Sequence, residues 1–140
     1  DGKIDRKRLA ARVFSDDEAL QKLNAITHPH IITMIAEKCT TLAGQNPPAI
    51  IVEAAILGEK GGIPAPFDGL ILVSAPETLR MDRLFHYRHM DMEDARRRID
   101  AQTDPELKRP FAQWIIENDG DLDHLHRQVD AIAEILHGLA

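Results

Sequence analysis

The chain of 140 residues is long enough for one modest domain with a core and too short for two. Its 44% hydrophobic and 29% charged residues are ordinary for a soluble globular protein, and no apolar run approaches the roughly 20 residues of a membrane span. A formal net charge of −6 argues against a general nucleic-acid-binding surface, but it leaves room for a local basic pocket that holds one phosphorylated ligand.

The cysteine content indicates the cellular compartment, and the first residues indicate which part of a domain the chain represents. Cys39 is the single cysteine, cannot form an internal disulfide and fits a reducing cytoplasm, and no secretion leader is recognisable. The opening DGKIDRKRLAARVF leads from a turn dipeptide straight into a helix, with no starting methionine. We therefore expect a cytoplasmic protein whose chain starts in the middle of a domain.

Helices are predicted throughout residues 5–44. The first is followed by Ser15-Asp16-Asp17-Glu18, a capping box in which the Ser15 hydroxyl accepts from a free backbone N–H and the glutamate reaches back. Pro29 suits the first turn of a further helix, where its missing N–H costs nothing, and Gly44 marks the end of that helix. The pattern predicts three consecutive helices in this region.

Three apolar segments predict strands. Residues 49–57 and 70–75 are nearly continuous apolar runs, typical of parallel strands buried on both faces, and residues 114–116 form a third. Because strands alternate with helices, we predict an α/β fold in which a parallel sheet lies between flanking helices in three layers. Three strands leave a hydrophobic edge exposed, which indicates that one or two strands are missing and that the domain is truncated at its N-terminus.

Helix starts are recognisable in the second half of the chain. Ser74-Ala75-Pro76-Glu77 is another capping box, Asp91 can cap a helix after the irregular stretch at residues 86–91, and Asp104-Pro105 begins a shorter helix. The last helix is the clearest element, because its apolar residues repeat at steps of three and four. The single partial domain therefore divides into a helical region (5–44), core strands with a loop (49–75), helices with a lid (76–111), and a last strand with the C-terminal helix (113–140).

Cations cluster between residues 80 and 109 of an otherwise acidic chain. The planar fork of arginine binds phosphate oxygens bidentately, so a mobile lid that closes on phosphates is one interpretation. A solvated helix face with pairs such as Glu93–Arg97 is the other, and charge alone favours it. The members of the cluster are Arg80, Arg83, Arg88, Arg96, Arg97, Arg98, Lys108 and Arg109.

Motifs for other chemistries are not found in the sequence. The histidine pairs lack the HExxH pattern, and no cysteine pair completes a zinc site, so we predict no metal site. The alternating aspartates after Asp119 lack the glycine of a calcium loop, and Asp121 is better explained as a helix cap. The 140 residues contain neither a Gly-x-Ser-x-Gly elbow nor a GxxxxGK[ST] phosphate loop.

Four stretches in register resemble the dephospho-CoA kinase family, P-loop kinases of the nucleoside-monophosphate-kinase type. The opening DGKIDRKRLAARVFSDDEALQKLNAITHPHI is similar to the family's dG.ldR..L...vF.d......L..i.HP.I, and residues 52–59 to vvDvPLLfE. The segment RLFHYRHMDMEDARRRIDAQTDPELK is similar to the family's lid, and residues 115–120 to viDNsG. The resemblance covers essentially all 140 residues, and the order and spacing agree.

The chain departs from the family pattern at defined positions. Glu53 and Ala55 replace the Asp and Pro of the central strand, and Glu117 replaces the Asp before the last Asn. The lid arginine falls on Tyr87, with Arg88 one place later. The family's N-terminal segment, with the phosphate loop and the catalytic Asp, is not in this sequence.

The resemblance implies ATP-dependent phosphorylation of the 3′-hydroxyl of dephospho-CoA, the last step of coenzyme A biosynthesis, with Mg²⁺ accompanying ATP. It implies that Arg88 is the catalytic lid residue at the ATP phosphates, with Arg83 a further candidate. It also implies that Asn118 and Gly120 lie at the adenine, where the glycine lets the chain turn away. ATP and dephospho-CoA are the implied partners, with no nucleic acid and no membrane.

The acceptor site is implied to lie elsewhere in the chain. Residues 5–44, with His28, and the loop at Glu59 would shape it. Because the phosphate cradle and the base are not in the sequence, we expect the 140 residues alone to have no significant kinase activity. Two alternatives stay open: another small-molecule kinase of the same fold, or a non-catalytic interaction domain that uses the sheet edge or the lid helices.

Overall fold

The computed structural model describes residues 4–54 and 67–139. The chain divides into two compact units, Asp1–Val52 and Glu53–Ala140. The first unit is helical. It contains α1 (Arg6–Val13), which buries Val13, and α2 (Asp17–Ala43).

The start of α2 is set by Asp16 and not by Ser15. The Asp16 carboxylate accepts from the backbone N–H of Ala19 at 3.0 Å, with Asp16 itself in an extended conformation. The Ser15 hydroxyl instead donates to the Ala11 and Arg12 carbonyls of α1 at 2.9 and 3.1 Å. The predicted Ser15 cap is wrong because that hydroxyl serves the end of the preceding helix, which leaves the next carboxylate to cap α2.

Pro29 lies inside α2 and does not begin a separate helix. The two helices predicted on either side of it are one helix of 27 residues, which ends as predicted before Gly44. Residues 17–43 contain no glycine, so Pro29 is the single strong helix breaker in this stretch. The helix nevertheless continues through the proline.

The second unit alternates strands and helices. Its elements are β1 (Ile71–Ser74), α3 (Glu77–Arg88), α4 (Met92–Asp100), α5 (Pro105–Lys108), a 3-10 helix (Arg109–Phe111), β2 (Trp114–Glu117) and α6 (Leu122–Gly138). The two strands pair in parallel, with Ile71 opposite Trp114 and Ser74 opposite Glu117. The predicted α/β class, the parallel pairing and the strands at 70–75 and 114–116 are thereby confirmed.

The strand predicted at residues 49–57 is not found in its described part. Residues 49–54 lie outside any strand, and residues 55–57 lie outside the described ranges. Ile51 is 69% exposed, and Val73 of β1 is 56% exposed, so burial on both faces is wrong for both segments. An apolar run is buried on both faces only where layers cover both faces, and over residues 67–139 the sheet has two strands.

The core of the second unit lies between α3 and α4. Met81, Ala95 and Ile99 are buried there, with Leu84 and Met90 packed against them. The apolar residues at steps of three and four on both helices meet at this contact. The helices predicted after residues 74–77 and after Asp91 are thereby confirmed, although the ends of the first differ.

Both ends of α3 differ from the prediction. Ser74 is buried as the last residue of β1, and Pro76 precedes the helix without a side-chain cap, so the predicted capping box does not form. At the other end the helix runs through the predicted irregular stretch as far as Arg88, because His89 adopts the left-handed conformation, φ 50°, that ends it.

Aspartates begin the following helices as predicted. Asp91 accepts from the backbone N–H of Asp94 at 2.8 Å, and that hydrogen bond lowers the pKa of the Asp91 carboxyl. Asp104 caps α5, and Asp121 caps α6 by accepting from the His124 N–H at 2.7 Å. The last helix packs on β2.

Over the described ranges, no helix has the length and apolar content to cross a membrane.

Gly69 provides a test of the packing at the start of the sheet. A Cβ at this position would lie 2.9 Å from Cζ3 of Trp114, so we expect Gly69→Ala to lower the free energy of unfolding by about 1–3 kcal/mol. Gly138→Ala is the matched control, because nothing lies within 4 Å of its Cβ position. Denaturation followed by the emission of Trp114 measures both, and an unchanged midpoint for Gly69→Ala would contradict the packing described here.

Candidate functional site

A cavity of about 480 Å³ opens at the carboxyl ends of the two strands. Ser74 and Glu117, the last residues of β1 and β2, line it together with Asp119. In open α/β sheets, ligands bind beyond the carboxyl ends of the strands. This cavity is therefore the candidate site of the second unit.

The parallel register delivers the turn after β2 to this cavity. The N–H of Asn118 donates to the carbonyl of Ser74 at 2.7 Å, which extends the strand pairing by one residue beyond Glu117. Asn118 is half-buried between two cavity-lining residues, and Gly120 is exposed in the same turn. The two residues predicted for the adenine do not line the cavity themselves, but they lie in the turn that contains the lining residue Asp119.

Gly120 allows a close approach and does not supply an unusual backbone angle. Its φ lies outside the left-handed region, and a Cβ there would sit 3.3 Å from Cδ2 of His124. Gly120 was predicted to let the chain turn away from the adenine. The structural reason for a glycine here is that a side chain would crowd His124 in the first turn of α6.

Glu117 is held through its carboxylate by Arg109. Nη1 of Arg109 donates to the Glu117 carboxylate at 2.7 Å, while its Nε donates to Glu106 at 3.0 Å. These hydrogen bonds, first that of Glu106 and then that of Glu117, raise the pKa of Arg109 further above its ordinary value. The guanidinium is charged at every accessible pH, and it pairs with two carboxylates of the cavity lining, whose charge it compensates in part.

The backbone of Glu117 is held from the other side by Gln128 of α6. The N–H of Glu117 donates to Oε1 of Gln128 at 2.8 Å, and Nε2 of Gln128 donates to the carbonyl of Glu117 at 2.9 Å. One carboxamide thus satisfies both backbone groups of the last residue of β2.

Arg80 contributes a cation with unused donor capacity. It lies on the first turn of α3 and lines the cavity, and its Nε is buried without a hydrogen-bond partner among the described residues. Because this Nε is buried, Arg80 favours a ligand in the cavity through the positive charge of its guanidinium and not through that atom. The cavity can therefore hold a polar ligand that carries acceptor oxygens.

The predicted lid arginines lie further along the same helix. Arg83 is half-buried, Arg88 is exposed at the end of α3, and neither lines the cavity. Other members of the cation cluster are engaged in ion pairs on the helix surface: Arg96 pairs with Glu77, and Arg97 pairs with Glu93 at 2.6 Å. The solvated-face interpretation is confirmed for these two arginines.

Of the predicted acceptor residues, the structure describes His28, which does not line the cavity of the second unit. His28 is half-buried in α2 of the first unit, and Glu59 lies outside the described residues. Within residues 4–54 and 67–139, no group of three or more His, Cys, Asp or Glu side chains could hold a metal ion.

Sequence reasoning overlooked three residues of this site. Arg80 and Arg109 were counted as cations, but their places in the cavity were not predicted. For Arg80 a signal existed, since the first turn of a helix that follows a parallel strand lies beside the strand's carboxyl end. Gln128 carried no signal, because a glutamine on a helix is ordinary and its partner is a backbone group.

The fold and the cavity define an α/β protein whose candidate ligand site lies at the carboxyl ends of parallel strands. The family model for dephospho-CoA kinase matches residues 1–124. The chain belongs to the dephospho-CoA kinase family.

Individual relatives agree with this assignment. The chain is 37% identical over 130 residues to a dephospho-CoA kinase of Corynebacterium jeikeium, covering 93% of this chain and 66% of that protein. It is 36% identical over 138 residues to that of Leifsonia xyli, covering 99% and 70%. The chain thus spans about two thirds of the length of the curated relatives that it matches.

Solved structures show the same similarity. A crystal structure from Thermus thermophilus superposes with a TM-score of 0.75 at 35% identity, covering 96% of this chain and 69% of that one. The dephospho-CoA kinase of Campylobacter jejuni gives a TM-score of 0.54 at 30% identity, covering 100% and 69%.

The Arg109–Glu117 pair generates a prediction about stability. We expect Arg109→Gln and Glu117→Gln each to lower the denaturation midpoint, and the double variant to lose less than the sum, because either change removes the same contact. The coupling should shrink in 1 M NaCl, since salt screens half-exposed charges. The Glu93–Arg97 pair is the control, and we expect little coupling there because Glu93 is 82% exposed. Equal coupling for both pairs would contradict a special role for Arg109.

Proposed function

We propose that the protein is a dephospho-CoA kinase, which transfers the γ-phosphoryl group of ATP to the 3′-hydroxyl of dephospho-CoA. One observation carries the proposal: the turn after β2, which bears the family's Asn-x-Gly pattern, lies at the edge of the cavity at the carboxyl ends of the strands. The family match over residues 1–124 and the relatives' names support the same reaction.

In this proposal the cavity receives the nucleoside part of ATP. Asn118 and Gly120 contact the adenine, and Glu117 and Asp119 on either side of Asn118 line the cavity. Arg80 lines the cavity, and its positive charge favours a ligand that carries acceptor oxygens. Fixing the nucleotide in place is a large part of catalysis in phosphoryl transfer, because the reaction needs little covalent chemistry from the protein.

The phosphates are proposed to meet the second half of α3. Arg88 is the proposed catalytic arginine and Arg83 the secondary contact, and both lie beyond the cavity-lining part of the helix. A guanidinium at this place stabilises the charge that builds up on the transferred group. Mg²⁺ is proposed to arrive bound to the ATP phosphates, and no residue of this chain is assigned to it.

The acceptor is proposed to be shaped by the helical region 5–44, with His28, and by the loop at Glu59. The family match extends over all of these positions, which supports the proposal. We also retain the predicted single domain with its four segments and the cytoplasmic location as proposals.

A third layer and further strands are proposed to complete the sheet. The carbonyls of Leu70 and Ser74 accept hydrogen bonds from β2 and from Asn118 directly after it. Residues of a strand alternate between its two edges, so Ile71 and Val73 direct their backbone N–H and C=O groups to the edge of β1 that faces away from β2. Over the described part of the chain no strand pairs there. The chain covers 66% and 70% of the length of two relatives. We therefore propose that residues of the complete gene product outside these 140 supply the missing strands and the phosphate loop.

The test is ADP release with Mg-ATP and dephospho-CoA, measured on the complete gene product and on the 140-residue chain. We expect turnover by the complete product and none significant by the 140 residues, because they contain no GxxxxGK[ST] pattern. Turnover by the short chain, in a preparation free of other kinases, would contradict the second expectation. A measured preference for a nucleoside or a shikimate-like acceptor would indicate another small-molecule kinase of the same fold. No turnover with any acceptor would favour a non-catalytic interaction domain.

The arginines of α3 are distinguished by their kinetic effects. In the complete product we expect Arg88→Gln to lower kcat by about a hundredfold or more, because an arginine that stabilises the transferred phosphoryl group is worth about 10³–10⁵ in related enzymes. Arg83→Gln should lower kcat less, and Arg80→Gln should mainly raise the KM for ATP. Arg98→Gln removes an exposed charge of α4 and serves as the control. Normal kcat in Arg88→Gln would remove Arg88 from the catalytic role.

A further inference from the structure

The last residue of β2 has its outer edge closed by a side chain. In a parallel pair the residues of a strand alternate between its two edges. Asn118 bonds to β1 through its N–H, so its neighbour Glu117 directs its backbone groups away from β1. The carboxamide of Gln128 meets both of these groups, the N–H at 2.8 Å and the carbonyl at 2.9 Å. Gln128 thus takes the place that one residue of a neighbouring strand would occupy.

This contact joins α6 to the residue that begins the turn. Glu117 is also bound through its carboxylate to Arg109 at 2.7 Å, and the next residue, Asn118, is bound to Ser74 at 2.7 Å. The backbone at Glu117 and Asn118 is therefore fixed from both edges of the strand. Of these contacts, only that of Gln128 holds the Glu117 backbone at its outer edge.

We propose that Gln128 is a positioning residue for the nucleotide, which sets the place of Asn118 at the cavity by clamping the backbone of Glu117. The proposal rests on the proposed function, because it takes Asn118 as the adenine contact. Gln128 is half-buried and does not line the cavity, so it acts through Glu117 and not by touching a ligand.

Two substitutions separate the two hydrogen bonds of the clamp. Gln128→Met keeps the length of the side chain and removes both bonds. Gln128→Glu keeps an acceptor for the Glu117 N–H but loses the donor to its carbonyl. Arg127→Met is the matched control, since Arg127 is an exposed neighbour on the same helix that makes no side-chain hydrogen bond or ion pair with any residue of the described ranges.

The experiment uses the complete gene product and has two readouts. The first is amide hydrogen exchange at Glu117, which we expect to become at least about tenfold faster in Gln128→Met, with an unchanged rate at the Arg80 amide of α3. The second is steady-state kinetics. We expect the KM for ATP to rise about tenfold in Gln128→Met and less in Gln128→Glu, with kcat and the KM for dephospho-CoA unchanged within about twofold.

A purely structural role gives a different result. In that case exchange at Glu117 becomes faster while the KM for ATP stays at the wild-type value, and the proposal is overturned although the kinase assignment stands. Equal rises of the KM for ATP in Gln128→Met and Arg127→Met would overturn it as well.

The two proposals fail separately. If the wild-type product does not phosphorylate dephospho-CoA, the proposed function is wrong, and the clamp is then tested by binding of ATP alone. Weaker ATP binding in Gln128→Met than in wild type, with Arg127→Met unchanged, supports the clamp in that case. Wild-type protein that binds no ATP, or equal affinity of wild type and Gln128→Met, overturns it.

Discussion

The parallel pairing of β1 with β2 is the contact on which the site depends. Parallel strands end at the same edge of a sheet, so their pairing brings Ser74 and Glu117 together although more than forty positions separate them in the chain. The helices that follow the strands then place Arg80 on one side of the edge and Gln128 on the other. Without this pairing, the cavity and the turn after β2 would have no common location.

The acidic charge of the cavity is compensated only in part. Acidic side chains outnumber basic ones among its lining residues; Arg109 pairs with both Glu106 and Glu117, and Arg96 pairs with Glu77 from outside the cavity. Arg80 has a buried Nε without a partner among the described residues. The two arginines of the lining thus place positive charge locally in a cavity whose lining is otherwise acidic.

The sequence predicted the elements of the second unit where local signals are strong. The strand at Ile71–Ser74, the strand at Trp114–Glu117 and the last helix carry uninterrupted apolar or periodic patterns, and they formed as expected. Residues 49–54 carry a similar apolar pattern without forming a strand, because strand formation needs a neighbouring strand that no local pattern supplies. The errors at Ser15 and Ser74 have one cause, since a hydroxyl or a strand position can be claimed by a neighbouring element.

The site was predicted in part for similar reasons. The resemblance in register pointed to the turn after β2, and two residues of that region, Glu117 and Asp119, line the cavity, whereas the role of Asn118 stays a prediction. The contacts that hold it did not follow, because Gln128 binds backbone groups and Arg109 joins acids from two different motif stretches, Glu106 and Glu117. Such contacts depend on the packing of α6 on the sheet, which has no signature in a single sequence.

The proline within α2 has a consequence for the first unit. Pro29 has no N–H, so the carbonyl of Ala25 lacks its helical partner, and the hydrogen-bond ladder is interrupted within a 27-residue helix. No residue of α2 is fully buried, so tertiary packing does little to compensate at that rung. The middle of the helix beside His28 should therefore open more readily than the middle of an uninterrupted helix, in addition to the fraying of its two ends.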